Sequence, residues 1–182
     1  MDLPLEHIDP LDPSSGAIVK FIQEVTEKTW PSVASRYGVY FGDLKCDFST
    51  SGELDNEASS GVTRGIFAPT SIKTERASWS ALDGSLFSLN FFIRGKEKDV
   101  SAAVLSGYDS VRSSLIGSYG PPPDEGMDQS GNRAATWLVG DTRIELYAHV
   151  TEPHALQVGL SHNERNASYE HRLAQTAAKP EA

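Results

Sequence analysis

A chain of 182 residues, 38% hydrophobic and 9% aromatic, carries enough apolar material for one folded core and too little length to favour two, which excludes global disorder. Its formal net charge of −9 sets it against nucleic acid and anionic lipid as partners. The lone cysteine, Cys46, excludes an internal disulfide and a cysteine-based zinc centre, fits a reducing cytosol, and reads as a small buried hydrophobe.

In chain order, residues 1–16 hold Pro4, Pro10, Pro13 and Gly16 and are expected to form an irregular arm. The acidic, proline-broken start Met1–Glu6 lacks the positive segment and apolar stretch of a secretory signal. No apolar run approaches the roughly 18 residues needed to span a bilayer, so a cytoplasmic location is expected. Asp12-Pro13-Ser14-Ser15 offers a capping side chain and an early proline for a helix, and Ile18, Phe21, Ile22 and Val25 follow at helical spacing, with Trp30 beyond. Pro31 ends or kinks that helix, Ser32–Tyr37 can form a short second one, and Gly38 suits its left-handed close.

The middle of the chain reads as strands. Val39–Phe41 and Cys46–Phe48 flank Gly42-Asp43, residues 51–61 form a polar acidic loop, and Val62–Ala68, Lys73–Leu82 and Leu86–Arg94 follow as β segments. Asp83-Gly84 predicts a tight hairpin, and Leu89, Phe91 and Ile93 alternate with Ser88, Asn90 and Phe92. A long helix from Val100 to Tyr119 carries the stripe Val104, Tyr108, Val111, Leu115 and stops at Gly120 and Pro121–Pro123. After a Gly/Pro/Asp-rich crossover at 120–132, Ala134–Val139 and Thr142–Val150 pair around Gly140-Asp141, and Leu156, Val158 and Leu160 mark a last strand. Asn166–Gln175 has weak helical character, and 176–182 should fray. This order predicts a single α+β domain over 17–175, with an antiparallel sheet of about six to eight strands and helices packed on one face.

No catalytic constellation accompanies these elements. There is no GxSxG elbow, phosphate-binding glycine loop or HExxH pair. His149 and His154 straddle Pro153 without a placed carboxylate, which makes a poor metal site. Glu53, Asp55 and Glu57 cluster in one loop, but the glycine and distal glutamate of a calcium loop are missing. Neither a metal nor a cofactor is therefore expected. Asn166-Ala167-Ser168 matches the glycosylation acceptor pattern, which matters only in a secreted protein. The three tryptophans read as core, although Trp30 and Tyr40 near the acidic loop also have the chemistry of interface anchors.

The informative asymmetry is electrostatic. Residues 1–60 hold eleven Asp/Glu against four Lys/Arg, a local balance of −7 out of −9. Such a field attracts basic partners and repels nucleic acid.

Three segments resemble small immunity proteins of bacterial toxin systems, of the actinobacterial type. They are Trp30-Pro31-Ser32-Val33-Ala34-Ser35-Arg36-Tyr37-Gly38, Ser118-Tyr119-Gly120-Pro121-Pro122, and the Trp137 strand leading into Gly140-Asp141-Thr142-Arg143-Ile144-Glu145-Leu146. The chain is also similar in size and expected compartment to the factor that blocks the mycobacterial necrotizing NAD-glycohydrolase toxin. The resemblance carries over no functional residues. It implies a non-enzymatic antitoxin that occludes a basic toxin enzyme as a monomer or weak dimer. On that reading Glu53, Asp55, Glu57 and Asp43 would steer the partner, and Tyr40 and Trp30 would anchor it. The alternatives are a dimeric secretion chaperone resembling the type III class and a small-ligand-binding domain using the sheet face.

Overall fold

The computed structural model describes residues 16–27, 30, 38–41, 44–47, 56–57, 61–66, 68–69, 76–94, 100–152 and 154–177. Helix α1 (Gly16–Thr26) is followed by strands β1 (Gly38–Phe41), β2 (Leu44–Asp47), β3 (Asn56–Glu57), β4 (Val62–Ile66), β5 (Ala68–Pro69), β6 (Arg76–Leu82) and β7 (Ser85–Arg94). Helix α2 (Val100–Tyr119) leads to β8 (Asp124–Met127), β9 (Arg133–Val139), β10 (Thr142–His149) and β11 (Ala155–His162), and α3 (Asn163–Ala177) comes last. The fold is α+β. Eight strands form one antiparallel sheet in the order β3-β4-β6-β7-β11-β10-β9-β8, and β1, β2 and β5 form a separate three-stranded sheet.

The sheet order follows from one crossover. Pro121–Pro123 and Gly120, at a positive φ of 82°, stop α2. The chain then enters at the far edge as β8 and meanders back through β9 and β10 until β11 pairs with β7. Two turns make this compact. Asp83 and Gly84 both take positive φ (49° and 77°), the signature of the tight hairpin turn that their sequence predicts. Gly140, at φ 57°, turns β9 into β10.

One face of the sheet carries Trp79, Leu89, Phe91, Ile93, Trp137, Ile144, Leu146, Leu156, Val158 and Leu160, all buried. Against them pack Ile18, Phe21, Ile22 and Val25 of α1 and Val104, Tyr108, Val111 and Leu115 of α2, one continuous core. Phe21 meets Phe91 edge-on at 5.6 Å, an arrangement that adds about 0.5–1.5 kcal/mol beyond the area it buries. The expectation of helices gathered on one face holds for α1 and α2.

Helix α3 departs from that expectation, and the cause lies in β7. Register slips between Ser80 and Ala81 of β6, so that Ser80 faces Ser88 and Ala81 faces Leu86, leaving Phe87 as an extra residue. Leu86 stays with the main core while Phe87 turns to the opposite face, where it joins Val62 and Leu82 in a second apolar cluster. Tyr169 of α3 packs on that cluster, with its ring 5.1 Å from Phe87. Arg165 donates to the Leu86 carbonyl at 2.7 Å, and Arg172 binds both Asp83 carboxylate oxygens, with Nη1 at 3.0 Å from Oδ1. The Arg172 guanidinium holds the Asp83 carboxyl below its usual range.

Several sequence expectations shift. The crossover at 120–132 contains the edge strand β8, and the expected loop at 51–61 contains the two-residue β3. Gly38 is the first residue of β1. The proposed 32–37 helix, most of the N-terminal arm and residues 178–182 lie outside the described residues. Two glycines test this account. Gly61 has φ 71°, and a Cβ there would meet Asp83 Oδ1 at 2.3 Å, whereas nothing lies within 4 Å of a Cβ at Gly117 in α2. Gly61→Ala should therefore destabilise the fold by about 1–3 kcal/mol, and Gly117→Ala should stabilise it by about 0.5–1 kcal/mol. Urea midpoints at unchanged m-value check both signs.

Candidate functional site

The second face of the large sheet, away from α3, gathers a connected set of polar side chains. Along β10 every second residue points there: Arg143, Glu145, Tyr147 and His149, each half-buried, while Thr142, Ile144, Leu146 and Ala148 are buried on the other side. Register brings partners from neighbouring strands. Arg143 faces Ser161, Glu145 faces Gly159 and Tyr147 faces Gln157 in β11, while Asn90 of β7 lies opposite Gly159.

These groups form a chain of contacts. Arg143 Nη2 lies 3.2 Å from Glu145 Oε1, and the Tyr147 hydroxyl donates to the same oxygen at 3.0 Å. The Tyr147 and His149 rings stack with centroids 6.0 Å apart. His149 Nε2 pairs with Gln157 Oε1 at 2.7 Å, and Gln157 Nε2 donates to Asn90 Oδ1 at 3.2 Å. The Glu145 side chain lies over Gly159 of β11, where a Cβ would sit at ordinary contact distance, 3.4 Å from Oε2.

Burial pushes the Tyr147 hydroxyl up to about 12, helped by the Glu145 charge and by the hydrogen bond to it. Tyr108, in the main core, is likewise raised to about 12, first by burial and then by the charge of Glu125. Two polar atoms at the Arg143 end lack partners among the described residues: Arg143 Nε and Ser161 Oγ, both buried. A buried donor left unmatched costs about 1–3 kcal/mol, so an unpartnered pair facing each other across two strands marks a place where something polar belongs.

Other candidates carry less chemistry. Ser101 at the start of α2 approaches His154 Nδ1 at 3.3 Å, but its hydroxyl donates to the Val150 carbonyl at 3.1 Å, which ties the helix start to the β10–β11 turn and leaves no activated nucleophile. His149 and His154 thus engage different partners, Gln157 and Ser101. Among the described residues no group of three or more His, Cys, Asp or Glu is arranged to hold a metal ion. No helix among the described residues is long and apolar enough to cross a membrane.

Of the residues singled out from sequence, Trp30, Tyr40 and Glu57 lie among the described residues. Trp30 is 4% exposed, and its indole N–H donates to Thr142 Oγ1 at 2.8 Å, with His162 edge-on at 6.2 Å. It is a core residue, because its ring closes the end of the sheet and its N–H finds a buried partner there. A surface anchor at this position is therefore corrected to a structural one. Tyr40 lies in β1 opposite Lys45, and Glu57 lies in β3, the edge strand beside Val62. Asp43, Glu53 and Asp55 lie outside the described residues.

Charge in the second part of the chain is locally matched. Arg112 is bound by Glu125 (Nη2–Oε2 2.7 Å), Arg133 by Asp109 at 2.9 Å, Arg143 by Glu145 and Arg172 by Asp83. Arg112 depresses the Glu125 carboxyl, first through their hydrogen bond.

No family model matches the chain, and neither a curated protein nor a solved structure matches it.

The two raised tyrosines give a pH prediction. Below pH 10 both hydroxyls are neutral folded or unfolded; above it the unfolded chain ionises first, so stability falls through the window from about 10 to about 12. In a spectrophotometric titration Tyr108 and Tyr147 should be among the last of the six tyrosines to ionise, and Tyr147→Phe should remove one such late step. Ionisation of Tyr147 at its ordinary value would contradict the geometry.

Proposed function

We propose that this chain is a non-enzymatic binding protein of the immunity type, an antitoxin that captures a basic toxin enzyme and occludes its active site. The observation that carries the reading is charge segregation. The second part of the chain spends Arg112, Arg133, Arg143 and Arg172 on carboxylates of its own, Glu125, Asp109, Glu145 and Asp83. Those four cations are engaged within their own region, and the −7 balance of residues 1–60 remains the dominant field of the sequence. A one-sided field of this kind raises association rates with an oppositely charged partner by about 10–10³-fold at low salt. Tight binding then depends on a few buried contacts.

Glu53, Asp55, Glu57 and Asp43 supply the steering charge in this reading, and Tyr40 is the remaining aromatic anchor. The partner is a protein with a cationic cleft, bound stoichiometrically, with no cofactor.

Co-expression with a secreted toxin domain of cationic cleft, sought among the genes beside this one, tests the proposal. The expected result is a stoichiometric complex, loss of toxin activity and rescue of growth. Replacing Glu53, Asp55 and Glu57 together by Ala should slow association about tenfold at low ionic strength and flatten its salt dependence, with dissociation little changed. An unchanged on-rate at low salt contradicts the steering role. A free protein that is a stable dimer and binds unfolded segments would place it with the secretion chaperones instead.

A further inference from the structure

The unpartnered atoms at one end of the polar face belong to a row that runs straight across the sheet. Register aligns Arg143 of β10 with Ser161 of β11, Ser161 with Ser88 of β7, Ser88 with Ser80 of β6, and Ser80 with Arg64 of β4. Strand spacing of about 4.8 Å sets three hydroxyls in line over roughly 10 Å, with a guanidinium-bearing residue at each end. Helix α3 borders the row: Tyr169 packs on Phe87, and its hydroxyl accepts from Arg64 Nη2 at 2.6 Å. Ser161 is only 5% exposed, and its Oγ has no partner among the described residues.

We infer that Arg143 and Ser161, with Ser88 and Ser80 alongside, form a binding site for a singly charged oxyanion of the carboxylate type. Two unpartnered donors sit there on directly opposed residues of adjacent strands, the Arg143 Nε–H and the Ser161 hydroxyl. A carboxylate is an acceptor-only group with two oxygens, one for each of these donors. The selectivity for one negative charge comes from Glu145. Its carboxylate already neutralises part of the guanidinium through the 3.2 Å contact with Nη2, so a dianion such as phosphate meets repulsion that a monoanion offsets. Glu145 is itself a positioning residue. The Tyr147 hydroxyl donates to it, and it in turn contacts Arg143 Nη2. This site is independent of the antitoxin reading, because none of its residues lies in the acidic first third of the chain.

Nitrogen-15 NMR on the full chain tests it, since an arginine Nε–H gives its own resonance. Sodium acetate should produce saturable shifts at the Arg143 Nε–H and at the Ser161 amide, against sodium chloride at matched ionic strength. Ser161→Ala, a small change that keeps the backbone register, should weaken acetate binding about tenfold, and Arg143→Gln at least as much. Inorganic phosphate at pH 8 should bind more weakly than acetate. A second arm compares N-acetyl-glycylglycine with its C-terminal amide. Tighter binding of the acid than of acetate assigns the site to chain-terminal carboxylates, equal binding assigns it to small free carboxylates, and both support the inference. Non-saturating shifts, wild-type affinity in Ser161→Ala, phosphate binding tighter than acetate, or an amide as good as the acid would each overturn it.

Discussion

One extra residue in β7 shapes this molecule. Without the slip opposite Ser80 and Ala81, strict alternation would place Leu86 and Phe87 the other way round, with Phe87 on the main core and Leu86 on the far face. The bulge keeps Leu86 under α1 and α2 and delivers Phe87 to the opposite side, where it meets Val62, Leu82 and Tyr169. A sheet that would otherwise have one covered face thereby covers part of the second. Asp83, Arg172 and Gly61 lock the arrangement at the hairpin, since the Asp83 N–H donates to the Gly61 carbonyl at 2.8 Å while its carboxylate holds Arg172.

The functional surfaces follow from how much of that second face α3 leaves open. Near the helix the face turns buried and polar, and Ser161 and Arg143 face each other there with unmatched atoms. Further along β10 it opens into the Glu145–Tyr147–His149–Gln157–Asn90 chain, where each group is held by the next. The remote edge is managed differently. Strand β8 is short, follows three prolines and carries Asp124 and Glu125, features that discourage edge-to-edge pairing even with Met127 69% exposed. Charge thus performs local structural tasks in the second part of the chain.

Much of this architecture was legible in the amino-acid order, and the illegible parts have physical reasons. The stripe Val104, Tyr108, Val111, Leu115 ahead of a triple proline marks α2, and Asp83-Gly84 and Gly140-Asp141 mark both hairpins. Strand β8 escaped because all four of its residues are exposed, so no alternation of apolar side chains announces it. The side taken by α3 was hidden too, because the bulge that decides it is a register event between two strands and not a feature of either alone. Trp30 illustrates a related limit. Its apolar surroundings could be guessed, but its bond to Thr142, 112 positions away, could not. The polar face was half visible: the alternation Arg143, Glu145, Tyr147 is plain in sequence, whereas Ser161, Gly159, Gln157 and Asn90 join it only through pairing.

Hydrogen exchange on a Phe87→Ser variant measures the central dependence most directly. If the bulged phenylalanine is what seats α3, amides of residues 163–177 should exchange at least about tenfold faster while α2 and β10 keep their protection, because the second cluster is separate from the main core. Wild-type protection across α3, or a uniform loss of protection throughout the molecule, would contradict that account.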